Sequence, residues 1–276
     1  MNVFGKIGVS LRDLTDRMLG RGRRALALSA CARTDRGLVR EDNQDAFVCE
    51  AADGFLCVAD GMGGGEGGAL ASQWCCEALA AACAATRGRP LEARESAVDA
   101  ALQEANARIR GFAREKGYKT MGTTAVAFLL EPAEGFRARA LHVGDSRLYR
   151  FRNGRLDVLT RDHTVGNELG RAMSTGNSDQ ARSLQARSNP LTHILTRAVG
   201  TELRARPEWR TVDVQRDDRY VLCSDGVHDM LDDASIGAIL REAGSPASAV
   251  ARLEAAVREA GAGDNYTIVC AFVTTR

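Results

Sequence analysis

The stretch Val58-Ala59-Asp60-Gly61-Met62-Gly63-Gly64-Gly65-Glu66-Gly67-Gly68 decides how the rest of the chain is read. It follows an apolar run, Phe55-Leu56-Cys57-Val58, that reads as a buried strand. It precedes a helical pattern in which Leu70, Trp74, Ala78 and Ala81 keep helical spacing. The strand therefore delivers one carboxylate, Asp60, to its C-terminal tip, beside glycine carbonyls that no side chain shields. Hard divalent cations favour oxygen donors of this kind.

Working outward, strands are expected at Ala25–Arg33 and Ala46–Cys49, the latter joined to Phe55–Val58 by a turn at Ala52-Asp53-Gly54. Downstream, Pro90 opens a second helix whose face is Val98, Leu102, Ala105, Ile109 and Phe112. Two consecutive helices between strands exclude a simple β-α-β alternation. Strands resume at Thr123–Leu130 and Arg137–Val143, and Ser146–Arg152 and Arg155–Val158 flank Asn153-Gly154, the signature of a two-residue type I′ hairpin. Residues 164–192 lose periodicity and read as a surface flap. Strands at Arg210–Val214 and Tyr220–Cys223, helices at Ala234–Glu242 and Pro246–Ala260, and a strand at Tyr266–Val273 complete the pattern. Strands in blocks with helices in pairs imply antiparallel sheets covered by helices, an α+β layered sandwich.

A 276-residue chain can bury a full core in one domain, and 45% hydrophobic with 26% charged residues is ordinary for a soluble globular protein. A net charge of +1 argues against a chain-wide nucleic-acid footprint. Most of the eight cysteines sit inside apolar runs without a C-x-x-C pair, so they read as reduced core thiols in the cytoplasm. Four histidines leave little for a His/Cys zinc site, and no apolar run approaches the roughly 18–20 residues of a transmembrane segment. Residues 1–24 stand apart from the domain expected over 25–276: Phe4, Ile7, Leu11, Leu14 and Met18 share one helical face, and basic residues outnumber Asp13 and Asp16. Two readings stand for this extension, a membrane-surface or protein-docking helix and a helix or tail resting on its own domain.

Asp225, in Leu222-Cys223-Ser224-Asp225-Gly226, repeats the strand-Asp-Gly pattern of Asp60, and Asp264-Asn265 opens the final strand. Carboxylates on one rim of a sheet repel unless they share a cation, and an all-oxygen set selects Mg²⁺ or Mn²⁺ over zinc. Arg40, just before the acidic Glu41-Asp42-Asn43-Gln44-Asp45, adds a fork that suits a phosphoryl group.

These segments resemble the metal-dependent, PPM-type (type 2C) serine/threonine protein phosphatases in their bacterial form. The matches run in the family's order: Arg40…Asn43-Gln44-Asp45, Ala59-Asp60-Gly61-Met62-Gly63-Gly64, Met121-Gly122-Thr123-Thr124 and His142-Val143-Gly144-Asp145-Ser146-Arg147. Leu159–His163, Leu195–Gly200, Ser224-Asp225-Gly226 and Asp264-Asn265 continue them, from about Ala25 to Val273. The resemblance implies a four-layer α-β-β-α sandwich with two Mn²⁺ or Mg²⁺ ions at one edge. Asp60 would bridge them, Asp225 and Asp264 would hold the first, and the Gly61 carbonyl would help hold the second. Arg40 would grip the phosphate while a metal-activated water attacks. Asp145 and Asp229 would form a third, weaker site. Gln44 stands where many relatives carry glutamate near the second metal, so it would ligate weakly or through water, with Asp45 just behind the ligands. Met62 replaces the histidine that eukaryotic relatives use as a candidate acid. The implied substrates are phosphorylated proteins, with a Ser/Thr kinase or its targets as partner.

Two rivals are weighed against this reading. Gly63-x-Gly65-x-x-Gly68 matches a dinucleotide fingerprint but lacks the single following helix and the acidic residue about 20 positions on. A phosphatase-fold module that binds phosphoproteins with weak or no catalysis is the other, kept open by Gln44 and Met62.

Overall fold

A computed structural model describes residues 26–131, 137–173 and 189–275. The extension at 1–24 and the middle of the expected flap lie outside the described residues.

Period-two alternation along the strands builds three separate cores. In β3 (Phe55–Gly63), Phe55, Cys57 and Ala59 face helices α1 (Gly67–Ala85) and α2 (Leu91–Lys116), while Leu56 and Val58 face the opposite way. In β10 (Arg219–Cys223), Tyr220 and Leu222 join Leu56 and Val58, while Val221 and Cys223 face helices α5 (Asp233–Glu242) and α6 (Pro246–Glu259). The result is helix pair, sheet, sheet, helix pair: the α+β sandwich expected.

The remaining strands are β1 (Leu26–Asp35), β2 (Asp45–Glu50), β4 (Met121–Thr123), β5 (Ala125–Leu130), β6 (Arg137–Val143), β7 (Arg147–Arg152), β8 (Arg155–Val158), β9 (Glu208–Asp213) and β11 (Tyr266–Thr275). Among the described residues one sheet has the order β1-β11-β10-β7-β8 and the other β2-β3-β5-β6-β9, with β4 attached to β3, and every pairing is antiparallel. The Asn153-Gly154 hairpin closes β7 on β8 with both residues at positive φ, 51° and 81°, as a type I′ turn requires. Cys57, Cys75, Cys76, Cys83, Cys223 and Cys270 are buried free thiols, as read from their apolar settings. Among the described residues no helix is long and apolar enough to cross a membrane.

Three local expectations are corrected. Asp60 is not at a strand tip: β3 runs on to Gly63 and pairs with β4, Gly61 opposite Thr123. Glycine makes this continuation feasible, since a Cβ at Gly61 would stand 2.1 Å from the Gly68 carbonyl oxygen and 2.5 Å from that of Gln44. The single strand expected over Thr123–Leu130 is divided at Thr124, whose backbone N–H turns to the Asp60 carbonyl at 2.8 Å. The expected flap opens with helix α3 (Val165–Met173), in which Val165, Leu169 and Met173 do keep helical spacing, although its buried positions are Gly166 and Gly170.

Candidate functional site

Alternation carries past Val58 to Asp60, so its carboxylate points into the space between the sheets where they open at one edge. Its backbone is held firmly. The Asp60 carbonyl accepts from Thr123 Oγ1 at 2.9 Å as well as from Thr124 N, and Asp60 N donates to Thr124 Oγ1 at 2.9 Å. Thr124 Oγ1 in turn shares a 2.7 Å hydrogen bond with Ser146 Oγ.

Asp225 begins the short helix α4 (Asp225–His228), directly after β10 in the other sheet. Gly226 is required beside it, because a Cβ there would lie 2.0 Å from the Asn265 carbonyl oxygen. Asp264 precedes β11 and pairs with Arg40, Nη2 to Oδ2 at 2.7 Å. A cleft of about 900 Å³ gathers Arg40, Gln44, Asp60, Gly61, Asp145, Asp225 and Asp264. Asp229 lines a small adjoining cavity of about 50 Å³ with Asp145, Asp225, Asp162, His193 and His228.

Asp45 lies beneath the cleft and joins the sheets. Its Oδ2 accepts from Ser224 Oγ at 2.7 Å and Thr267 Oγ1 at 2.8 Å, both across the sandwich, while Oδ1 is buried without a hydrogen-bond partner. Gln44 donates through Nε2 to the Gly65 carbonyl at 3.1 Å, tying the amide to the glycine loop.

The charges of this cluster are unbalanced. Burial, reinforced by neighbouring carboxylates, pushes Asp60 and Asp145 well above the usual carboxylate range. Burial raises Asp225 as well, and drives Asp45 up to about 7 against the Ser224 and Thr267 hydrogen bonds. Asp229 departs from the group: burial works upward, but His228 and His193 outweigh it and hold the carboxyl below its ordinary value.

Among the described residues no three His, Cys, Asp or Glu side chains stand as a preassembled metal shell. The Arg40 guanidinium lies on Asp264, and the Asp60 carboxyl, disfavoured as an anion first by burial, also feels the charges of Asp45 and Asp225. The donor chemistry nevertheless fits hard cations. Buried carboxyls that repel one another, with an orphaned Asp45 oxygen behind them, need protons or positive charge to relieve them.

Asn265, Ser224 and Thr267 emerge with roles that the sequence pattern did not assign. Asn265 accepts from Gln44 N at 2.9 Å and donates to the carbonyls of Arg36 at 3.0 Å and Asp42 at 2.8 Å, fixing the loop that carries Arg40. Thr267 left a readable signal, a polar residue on the inter-sheet face of an otherwise apolar strand.

A family model described as protein phosphatase 2C matches residues 32–259. The chain belongs to that family. The protein phosphatase 2C assignment agrees with the fold: a solved structure of PppA, described as a key regulatory component of T6SS in Pseudomonas aeruginosa, superposes with a TM-score of 0.79 at 30% identity, covering 92% of this chain and 100% of that one. The catalytic domain of the serine/threonine phosphatase PstP, solved in complex with two manganese ions, gives 0.75 at 34% identity, over 90% and 99% of the two chains. The curated PstP of Mycobacterium tuberculosis is 36% identical over 90% of this chain, which spans only 45% of that relative's length.

Proposed function

We propose that this chain is a metal-dependent protein serine/threonine phosphatase that hydrolyses phosphoserine and phosphothreonine. The observation that carries the reading is the Arg40 guanidinium set among Asp60, Asp225 and Asp264 in one open cleft. Asp60, Asp225, Asp264 and the Gly61 carbonyl would hold two Mn²⁺ or Mg²⁺ ions, with Gln44 a weak or water-mediated ligand and Asp145 and Asp229 a third site. Bound there, such ions supply an activated water and neutralise developing negative charge.

The chain's own residues do the rest. Arg40 binds the phosphate: a guanidinium has five N–H donors, and the bond to Asp264 engages Nη2, leaving a planar fork for phosphoryl oxygens. Thr123, Thr124 and Ser146 keep Asp60 aligned through its backbone. Asp45 holds the two sheets, and so the two groups of acidic residues, at a fixed spacing. Met62 lines the cleft but carries no proton, so the leaving alkoxide takes its proton from solvent.

The test is hydrolysis of a phosphothreonine peptide and of p-nitrophenyl phosphate with Mn²⁺ and with EDTA. Metal-dependent turnover supports the proposal. Retention of the phosphopeptide without turnover would favour a binding module, the reading that Gln44 and Met62 keep open. The expected partners are phosphorylated proteins of a Ser/Thr kinase system. Residues 25–276 form the catalytic unit in this proposal, with 164–192 as a flap beside the cleft and 1–24 as a separate docking segment. Vesicle sedimentation with and without residues 1–24 tests the last point.

A further inference from the structure

Among the described residues seven large apolar side chains stand exposed, and Leu38, Val39, Leu169 and Ile194 are four of them, at 58%, 70%, 43% and 50%. Leu38 and Val39 lie in one segment, Leu169 in α3 and Ile194 in another beside Val165; two of these segments supply cleft-lining residues, exposed Val39 and half-buried Leu195.

Neither segment is slack chain. On one rim, Gly37 N donates to Asp35 Oδ1 at 2.9 Å and Leu38 N to the Ala262 carbonyl at 2.9 Å, while Asn265 grips the carbonyls of Arg36 and Asp42. On the other, Val165 N donates to the Ile194 carbonyl at 2.9 Å, Thr196 N to the His163 carbonyl at 2.8 Å, and Thr164 bridges Leu195. Apolar groups held in water by a fixed backbone are prearranged for contact, and ordering them costs little when a partner arrives. Glu41 and Asp42 add negative charge to the same lining, and Arg40 meets the phosphate.

We propose that Val39 and Leu195 form a two-sided apolar clamp that selects phosphorylated segments bearing an apolar residue next to the phosphorylated one. The occupant is an extended phosphoprotein strand. Its phosphate sits on Arg40, its apolar neighbours rest on the two rims, and acidic neighbours are repelled by Glu41 and Asp42. This inference rests on the phosphatase reading above and adds a substrate class to it.

The experiment compares kcat/KM in Mn²⁺ for three phosphothreonine peptides that differ only in the two flanking residues, leucine, glycine or glutamate. The leucine peptide should exceed the glycine peptide by about tenfold, with glutamate lowest. The double variant Val39→Ser, Leu195→Ser should shrink the leucine-to-glycine ratio to about twofold, while p-nitrophenyl phosphate, which has no flanking residues, is hydrolysed as by the parent protein. Equal rates for the leucine and glycine peptides in the parent protein would overturn the clamp, as would a ratio that the double variant leaves intact. No turnover of p-nitrophenyl phosphate by the parent protein would instead remove the phosphatase reading, and the clamp with it.

Discussion

Asn265→Ala should loosen the Arg40 loop without touching an acidic residue. The side chain is 8% exposed and makes three hydrogen bonds, from Gln44 N and to the carbonyls of Arg36 and Asp42. A neutral intramolecular hydrogen bond is worth about 1 kcal/mol net, so losing all three costs about 3 kcal/mol. For a chain of this size 1 kcal/mol shifts Tm by about 2–4 °C, which places the expected drop at about 6–12 °C. Asn265→Asp keeps the acceptor for Gln44 N but turns a carboxylate toward two carbonyls, and should be at least as destabilising. Scanning calorimetry in EDTA reads the stability term alone, free of metal linkage. In Mn²⁺, kcat/KM for p-nitrophenyl phosphate should fall by about 10–100-fold as Arg40 loses its fixed position, at a temperature where the variant is still folded. A Tm within 2 °C of the parent protein (roughly the smallest shift expected per kcal/mol), with unchanged kcat/KM, would refute the reasoning. It would show that the Gly37–Asp35 and Leu38–Ala262 bonds hold the loop unaided.

Four further outcomes are expected. Asp225→Asn should lower metal-dependent turnover by at least ~100-fold while far-ultraviolet circular dichroism stays unchanged, since the amide keeps the shape but not the charge. Arg40→Lys should cut kcat/KM by about tenfold or more, because a single ammonium cannot reproduce a planar fork on phosphate oxygens; steady-state kinetics checks this. Gly61→Ala should destabilise by about 3 kcal/mol or more in urea unfolding, as its Cβ would collide with two backbone carbonyls. His142 is a pH reporter: burial first, then the neighbouring His163, lowers it from 6.5 to about 3. The native ring thus stays neutral where the unfolded one takes up a proton, so stability is lost as pH falls from about 6.5 toward 3, by up to about 1.4 kcal/mol per pH unit. Urea unfolding at pH 7, 6 and 5 should show a shallower acid decline in His142→Gln.

The fold was legible because apolar alternation and turn chemistry are local. Asn153-Gly154 specifies its hairpin, and Pro90 announces a helix start through its fixed backbone geometry. The acidic residues were visible for a similar reason, since carboxylates beside strands break an apolar pattern. Less could be read where contacts are distant in sequence. Nothing near Asp45 announces its bonds to Ser224 and Thr267, and nothing near Asn265 announces the Arg36 and Asp42 carbonyls. The helical start of the flap was missed although Val165, Leu169 and Met173 keep helical spacing, because two glycines and a long polar stretch beyond them mask so short a pattern. Asp60 was placed at a strand tip because a glycine run reads as a turn, whereas here it admits a second backbone alongside.

Strand β11 lies between β1 and β10, so β1 has its hydrogen-bonded neighbour only once residues 266–275 have been made. Until then one sheet is open along its middle, and a row of unsatisfied backbone groups on β1 is free to pair with other chains. The residues beside β11, Asp264 and Asn265, are also those that complete the cleft and fix the Arg40 loop. Closing this sheet and completing the cleft are therefore one event: a chain that lacks residues 264–275 lacks the central strand of one sheet, the Asp264 carboxylate and the anchor of the Arg40 loop together.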